Sequence, residues 1–135
     1  MVMRVTSVVL NALIGEARAA HPRECCGLLF GTQGEITAHR PATNVHPKPQ
    51  THFEIEPRAL IDAHREMRNG GQRLVGYYHS HPLGRPEPSA TDQALAAKDG
   101  MTWAIVCAEK HGGRVTLWRA GEEGLEPLPY RVLPA

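Results

Sequence analysis

The sequence predicts an α/β (α+β) domain, a mixed and curved β-sheet packed with helices. Three observations carry that expectation. Val9, Leu13 and Ala17, with Leu10 and Ile14, recur at helical spacing and make one apolar stripe. Short apolar runs bounded by Gly and Pro read as strands. Pairs of these runs are joined by glycine-containing turns at Gly31-Thr32-Gln33-Gly34 and Lys110-His111-Gly112-Gly113, as in hairpins. Helices interleaved with hairpins imply layers of helix on sheet.

In chain order, Ser7 caps a first helix to about Ala20, and His21-Pro22 ends it. Glu24-Cys25-Cys26-Gly27-Leu28-Leu29-Phe30-Gly31 is a buried strand, followed by a second from Glu35 to Arg40. After a proline-rich loop, His52 to Ile55 reads as a short strand. Pro57 opens a helix that runs to Asn69 and stops at Gly70-Gly71. Leu74 to His81 is a strand, and Ser89 to about Asp99 a third helix. Met101 to Ala108 and Arg114 to Arg119 form another hairpin, and a last strand lies near Leu128 to Val132.

A chain of 135 residues fits one domain, residues 1–135, with no linker, repeat or low-complexity tract. The formal net charge is +1, without a run of Lys or Arg, which argues against a general nucleic-acid or membrane-surface binder. Neither a secretion signal nor a bilayer-spanning segment is expected. The cysteines number three, and Cys25, Cys26 and Cys107 sit in apolar runs. They read as buried reduced thiols of a cytoplasmic protein rather than as a disulfide framework.

The chemistry concentrates in His79-Ser80-His81-Pro82, followed by Ser89 and Asp92. Side chains two apart on a strand share a face, so His79 and His81 leave the strand's end together, with Ser80 turned away. Pro82, Gly84, Pro86 and Pro88 force a loop. Ser89 then suits a helix N-cap and Asp92 the first turn. Two imidazoles and a carboxylate so placed suit a zinc with three protein ligands and an open position. Ser-x-x-Asp is equally an ordinary helix start, and the ordered set, not any one piece, points to the metal. Upstream, Glu24 borders an apolar strand; either it ends the loop in water, as exposed glutamates usually do, or it serves the site as a proton acceptor.

Glu24 to Gly31, His79-Ser80-His81-Pro82 and Pro88-Ser89-Ala90-Thr91-Asp92 together resemble the JAMM (MPN+) zinc metalloprotease family, short prokaryotic single-domain type. The family pattern is an upstream Glu, then His-x-His, seven residues, Ser, two residues and Asp; here residues 82–88 are the seven. Asn44 and Phe53-Glu54-Ile55-Glu56-Pro57 add to the likeness, which covers nearly the whole chain. It implies an MPN/JAMM-like fold related to the layered cytidine deaminase-like fold. It implies one Zn2+ on His79, His81 and Asp92 with water as fourth ligand, Glu24 as general base, and Ser89 as donor to the tetrahedral oxyanion. Family members hydrolyse the amide after the C-terminal Gly-Gly of ubiquitin or a ubiquitin-like protein. The short stretch between Asp92 and Trp103 leaves little room for the insertions that grip ubiquitin. A ubiquitin-fold sulfur carrier of ThiS or MoaD type, releasing cysteine or a conjugated peptide, is therefore the expected partner.

A non-catalytic MPN-type scaffold is the alternative, and the intact five-residue set argues against it. A zinc nucleoside deaminase would need His-x-Glu and Pro-Cys-x-x-Cys, and neither occurs. His46 and His52 lack a nearby third ligand and read as a solvated loop. Cys25 and Cys26 read as core, His64 as helix surface, and Trp103 and Trp118 as core or hairpin residues. Arg85 and Glu87 belong to the loop over the proposed metal.

Overall fold

The structure, a computed structural model, describes residues 2–109 and 111–134. In chain order the elements are β1 (Met3–Thr6), α1 (Ser7–Ala20), β2 (Cys26–Thr32), β3 (Glu35–Ala42), α2 (Pro57–Arg68), β4 (Arg73–Ser80), α3 (Ala90–Leu95), β5 (Thr102–Glu109), β6 (Gly112–Gly121), β7 (Gly124–Pro127) and β8 (Tyr130–Leu133). The strands form one eight-stranded sheet in the order β7-β6-β5-β4-β2-β3-β1-β8. It is mixed: β4 runs parallel to β5, and β1 parallel to both β3 and β8. The other pairings are antiparallel. The end strands β7 and β8 are consecutive in the chain. Between them the amide of Leu128 donates to Leu117 O at 2.9 Å, and the carbonyl of Pro129 accepts from the Met3 amide at 3.1 Å. The sheet thus curls until its ends meet, as the expected curvature requires.

Period-two alternation in β2 separates the two cores. Cys25 and Leu29 pack with α1, whereas Cys26, Leu28 and Phe30 pack with Ala63 of α2. The adjacent cysteines are therefore core residues on opposite faces, free and buried, and Cys107 is free and buried as well. In β4, Leu29 pairs with Gly76 but Phe30 with Leu74, so Val75 is an extra residue. This bulge inverts the alternation. Leu74 joins the α2 core and Val75 the α1 core, and Tyr78 beyond the bulge again faces α1. There its hydroxyl donates to Glu16 Oε2 at 2.6 Å and ties the helix to the strand.

The structure corrects several expectations. The first helix is capped by Thr6, whose Oγ1 accepts from the Val9 amide, not by Ser7. Residues 52–55 make one isolated bridge, Asn44 to Ile55, instead of a strand, because the Asn44 side chain takes the Glu54 amide that a ladder would use. The third helix ends at Leu95 rather than near Asp99. Ala96 is extended and packs against the cluster of Trp103, Ala120 and Leu125, Leu95 is exposed, and Asp99 Oδ1 accepts from the Met101 amide in a turn around Gly100. The four-residue strands β1 and β7 were not anticipated. The β5–β6 turn contains Lys110, which lies outside the described residues. No described helix is long and apolar enough to cross a membrane.

Gly76 is where β4 presses on β5, for a Cβ there would overlap the Thr102 carbonyl. Gly76→Ala is expected to destabilise the protein by about 3 kcal/mol or more, a clash the backbone cannot relieve. Gly15→Ala, in open space on α1, is expected to stabilise it by about 0.5–1 kcal/mol. Chemical denaturation of the two variants checks both signs.

Candidate metal centre

His79 is the penultimate residue of β4, placed between β2 and β5 and opposite Cys26 and Ile105. Its ring lies in an aromatic clamp. Phe53 stacks on it at 4.1 Å and 15°, and Trp103 meets it edge-on at 5.7 Å and 90°. His81 follows past the strand end, still held by its amide to the Val106 carbonyl at 2.9 Å. The rings converge, with Nε2 of His79 and Nε2 of His81 3.1 Å apart. Ser80, between them, turns away as alternation predicts, and its Oγ accepts from the Cys25 amide at 2.8 Å.

Asp92 arrives from the start of α3. A capping box builds that start: Ser89 Oγ accepts from the Asp92 amide, and Asp92 Oδ2 accepts from the Ser89 amide, each at 3.0 Å. The same carboxylate faces both imidazoles, Oδ1 at 3.0 Å from His79 Nε2 and Oδ2 at 3.0 Å from His81 Nε2. His79 and Asp92 are 1% and 4% exposed. Ser89 is exposed. Its cap uses the hydroxyl oxygen only as acceptor, so the O–H hydrogen remains available to a ligand, and capping does not compete with an oxyanion role.

These donors fit a metal ion. One ligand atom from each of His79, His81 and Asp92 lies within 4.8 Å of the others. Donors about 2 Å from a tetrahedral zinc stand about 3.3 Å apart, close to the spacings seen. His81 Nδ1 lies 2.7 Å from the Arg85 carbonyl, which can only accept. Nδ1 thus carries the proton, and in the neutral ring the Nε2 lone pair points at the cluster, the arrangement of a metal-ligating histidine. His79 Nδ1 is buried with no partner, so the polar contacts of this ring all run through Nε2. Burying an imidazole for packing alone is unfavourable, and a metal at Nε2 would offset that cost, although among the described residues no group takes up Nδ1.

The electrostatics agree. Burial pushes the His79 imidazole below its usual pKa, which favours the neutral ligand form. Burial acts on His81 in the same direction, but the hydrogen bond to Asp92, the Arg85 carbonyl and nearby negative charge outweigh it, and the pKa is raised. Burial would raise that of Asp92. In the metal-free protein, hydrogens on Nε2 of His79 and His81 bond to Asp92, reverse this and hold it well below the carboxylate range; a metal would take the place of those hydrogens.

Glu24 stands just before β2 and is 7% exposed. It lies outside the group of converging ligand atoms, yet its charge acts on His81 and that of Asp92 acts on it. Burial, reinforced by Asp92 and opposed by His81, raises its pKa from 4.5 to about 7. A carboxyl with such a pKa can take up or give up a proton near neutral pH. Its setting, not its residue type, separates it from the exposed loop-end reading.

In the sequence Asn44 and Phe53 stand out only as part of the family likeness, and the placement of Trp103 and the Arg85 carbonyl at the site carries no local signal in the sequence. Trp103 is core, as expected, but core against the His79 ring. His46 and His52 stack on each other at 4.6 Å, and no third ligand joins them among the described residues. His64, Arg85 and Glu87 are exposed.

The chain is similar to known proteins along most of its length. Residues 6–121 match the family model described as prokaryotic homologs of the JAB domain. A desampylase of Haloferax volcanii is 35% identical over 97 residues, covering 70% of this chain and 68% of that protein. The CysO-cysteine peptidase of Mycobacterium tuberculosis is 31% identical over 135 residues, covering 98% and 92%. Among solved structures, a protein of Desulfitobacterium hafniense superposes with a TM-score of 0.86 at 27% identity, covering 98% of this chain and 94% of that one. A structure described as a JAMM metalloprotease-like zinc site in the proteasome and signalosome shares the fold, with a TM-score of 0.60 at 19% identity and coverage of 98% and 99%. The resemblance read from Glu24, His79, His81, Ser89 and Asp92 thus extends along most of the chain, which belongs to the family of prokaryotic homologs of the JAB domain.

Proposed function

We propose that this chain is a zinc-dependent metallo(iso)peptidase that hydrolyses the amide after the C-terminal Gly-Gly of a ubiquitin-like or sulfur-carrier protein. The observation that carries the reading is the convergence of His79, His81 and Asp92 beside a buried carboxyl with a pKa of about 7. His79, His81 and Asp92 hold the metal. When bound, zinc supplies Lewis acidity that makes water a nucleophile at neutral pH. Glu24 takes the proton from the attacking water and passes it to the leaving amine. The O–H of Ser89 donates to the oxyanion, an interaction worth roughly 3 kcal/mol. The Arg85 carbonyl keeps the His81 tautomer, and Phe53 and Trp103 keep water from the ring of His79.

An extended Gly-Gly tail offers backbone groups and little side chain, and such segments bind by adding along a sheet or groove. A 340 Å³ apolar groove lined by Phe53, Ile55, Pro57, Leu60, Tyr77 and Trp103 begins at the ring stacked on His79. It suits apolar side chains of the tail upstream of the glycines. From Asp92 the short α3 and residues 96–101 lead directly into β5, with no inserted element there to grip a larger partner. Together with the CysO-cysteine peptidase and desampylase relatives, this favours a small carrier over ubiquitin. We place the reaction in the cytoplasm, within one catalytic domain.

Protein purified without chelator is expected to contain about one zinc per chain, and His79→Ala or His81→Ala to contain almost none, by elemental mass spectrometry. A zinc-free wild type favours the scaffold reading. Glu24→Gln is expected to retain zinc and lose about 10²-fold or more in turnover. The substrate test is incubation with sulfur carriers extended beyond Gly-Gly by cysteine or a peptide, read by mass spectrometry; cleavage of neither rejects this substrate class.

The raised pKa of Glu24 also has a stability consequence in the metal-free protein. Between pH 4.5 and about 7 the folded carboxyl binds more proton than the unfolded one. Stability is therefore lost as pH rises through that window, and the penalty is complete above it. Glu24→Gln is expected to stabilise the metal-free protein by about 1–2 kcal/mol at pH 8 and to have little effect at pH 4. Urea denaturation at the two pH values decides this.

A further inference from the structure

We propose that Asn44 is a positioning residue that sets both the proposed base, Glu24, and the ring packed on His79 from a single side chain. This rests on the reading of Glu24 as base. The Asn44 carboxamide uses its full hydrogen-bonding capacity. Nδ2 donates to the Glu24 carbonyl at 3.1 Å and to the His52 carbonyl at 3.0 Å. Oδ1 accepts from the amides of His46 and Glu54, each at 3.1 Å. An asparagine has two donor hydrogens and two acceptor lone pairs, and all four are matched.

The partners give these bonds their meaning. His52 and Glu54 flank Phe53, so the peptide on either side of the ring that stacks on His79 is held by one carboxamide. On the other side of the site, the Glu24 backbone is fixed at every polar group. Its amide donates to the Pro49 carbonyl at 2.7 Å, and its carbonyl accepts from Asn44. The next amide, of Cys25, donates to Ser80 Oγ at 2.8 Å, and the Ser80 amide returns a bond to the Cys25 carbonyl at 3.0 Å. The base is therefore located relative to β4 through Ser80, the residue between the two histidines, and relative to Phe53 through Asn44. Proton transfer depends on placement to within a fraction of an ångström, and supporting hydrogen bonds supply that precision.

The test compares Asn44→Ala and Asn44→Asp in the full-length, zinc-loaded chain, with Glu24→Gln as control. Asp keeps an acceptor for the His46 and Glu54 amides but has no donor for the carbonyls of Glu24 and His52. Both Asn44 variants are expected to lose about 10- to 100-fold in kcat on a cysteine-extended sulfur carrier, with KM changed less than about twofold and zinc content unchanged. Hydrogen exchange followed by NMR gives a readout independent of turnover. The Glu24 and Cys25 amides are expected to exchange at least about tenfold faster in both variants, and those of His46 and Glu54 only in Asn44→Ala. Wild-type exchange at Glu24 and Cys25 in both variants overturns the clamp, and so does unaltered kcat in Asn44→Asp. Full turnover by Glu24→Gln would instead reject Glu24 as the base. The exchange arm needs no substrate and decides the clamp even if the carrier is not cleaved.

Discussion

The carboxylate of Asp92 joins the start of α3 to the end of β4. It accepts the Ser89 amide and so closes the start of α3, while its oxygens face His79 and His81 at the end of β4. A helix of six residues is too short to persist by backbone bonding alone. Its first turn is capped by Ser89 and tied through Asp92 to the histidines at the end of β4, and Gln93 Oε1 accepts from the Leu125 amide of β7 at 2.9 Å. The arrangement also concentrates charge: two imidazole nitrogens and a carboxylate crowd one small volume, which a cation between them relieves. The device that starts the helix and the carboxylate that would hold a metal are thus one side chain.

The strand that receives Asp92 is held from both faces. Gly76 lets β4 approach β5 at Thr102, and Gly27 leaves room beside the buried ring of Tyr78. Tyr78 reaches through the α1 core to Glu16, while His79 on the next position turns to the opposite face, against Phe53 and Trp103. The Val75 bulge sets which residues face which way. A one-residue difference in register there would exchange the faces of Tyr78 and His79. Glu24 enters from the neighbouring strand, tied to β4 by the Ser80 bond to Cys25. The strands thus place the two histidines and the proposed base together, and the loop of residues 82–88 contributes through the Arg85 carbonyl on His81.

Much of this was legible in the chain because the governing physics is local. Alternation in residues 74–81 places His79 and His81 on one side and Ser80 on the other. Ser89 and Asp92 stand at the spacing of a capping box, and the caps and glycines bracket α2 closely. Where the physics is non-local, the reading failed. The strands β1 and β7 are each four residues long and exist through their partners, β3 and β8 for one and β6 for the other. The third helix stops at Leu95, and the extended Ala96 packs against the cluster of Trp103, Ala120 and Leu125, residues remote in sequence that no helical pattern contains.

The sequence by itself determined the donor set, its order and the family to which it points, since residue type and spacing decide which atoms are able to bind a metal. Only the tertiary structure decided what those atoms are worth. Burial and the proximity of Asp92 make Glu24 a carboxyl with a pKa of about 7 rather than an ordinary exposed one. The Arg85 carbonyl selects the His81 tautomer, and Phe53, Trp103 and Asn44 frame the site from distant segments. Ionisation and orientation depend on dielectric and on neighbours brought together by folding, which the order of residues along the chain does not contain.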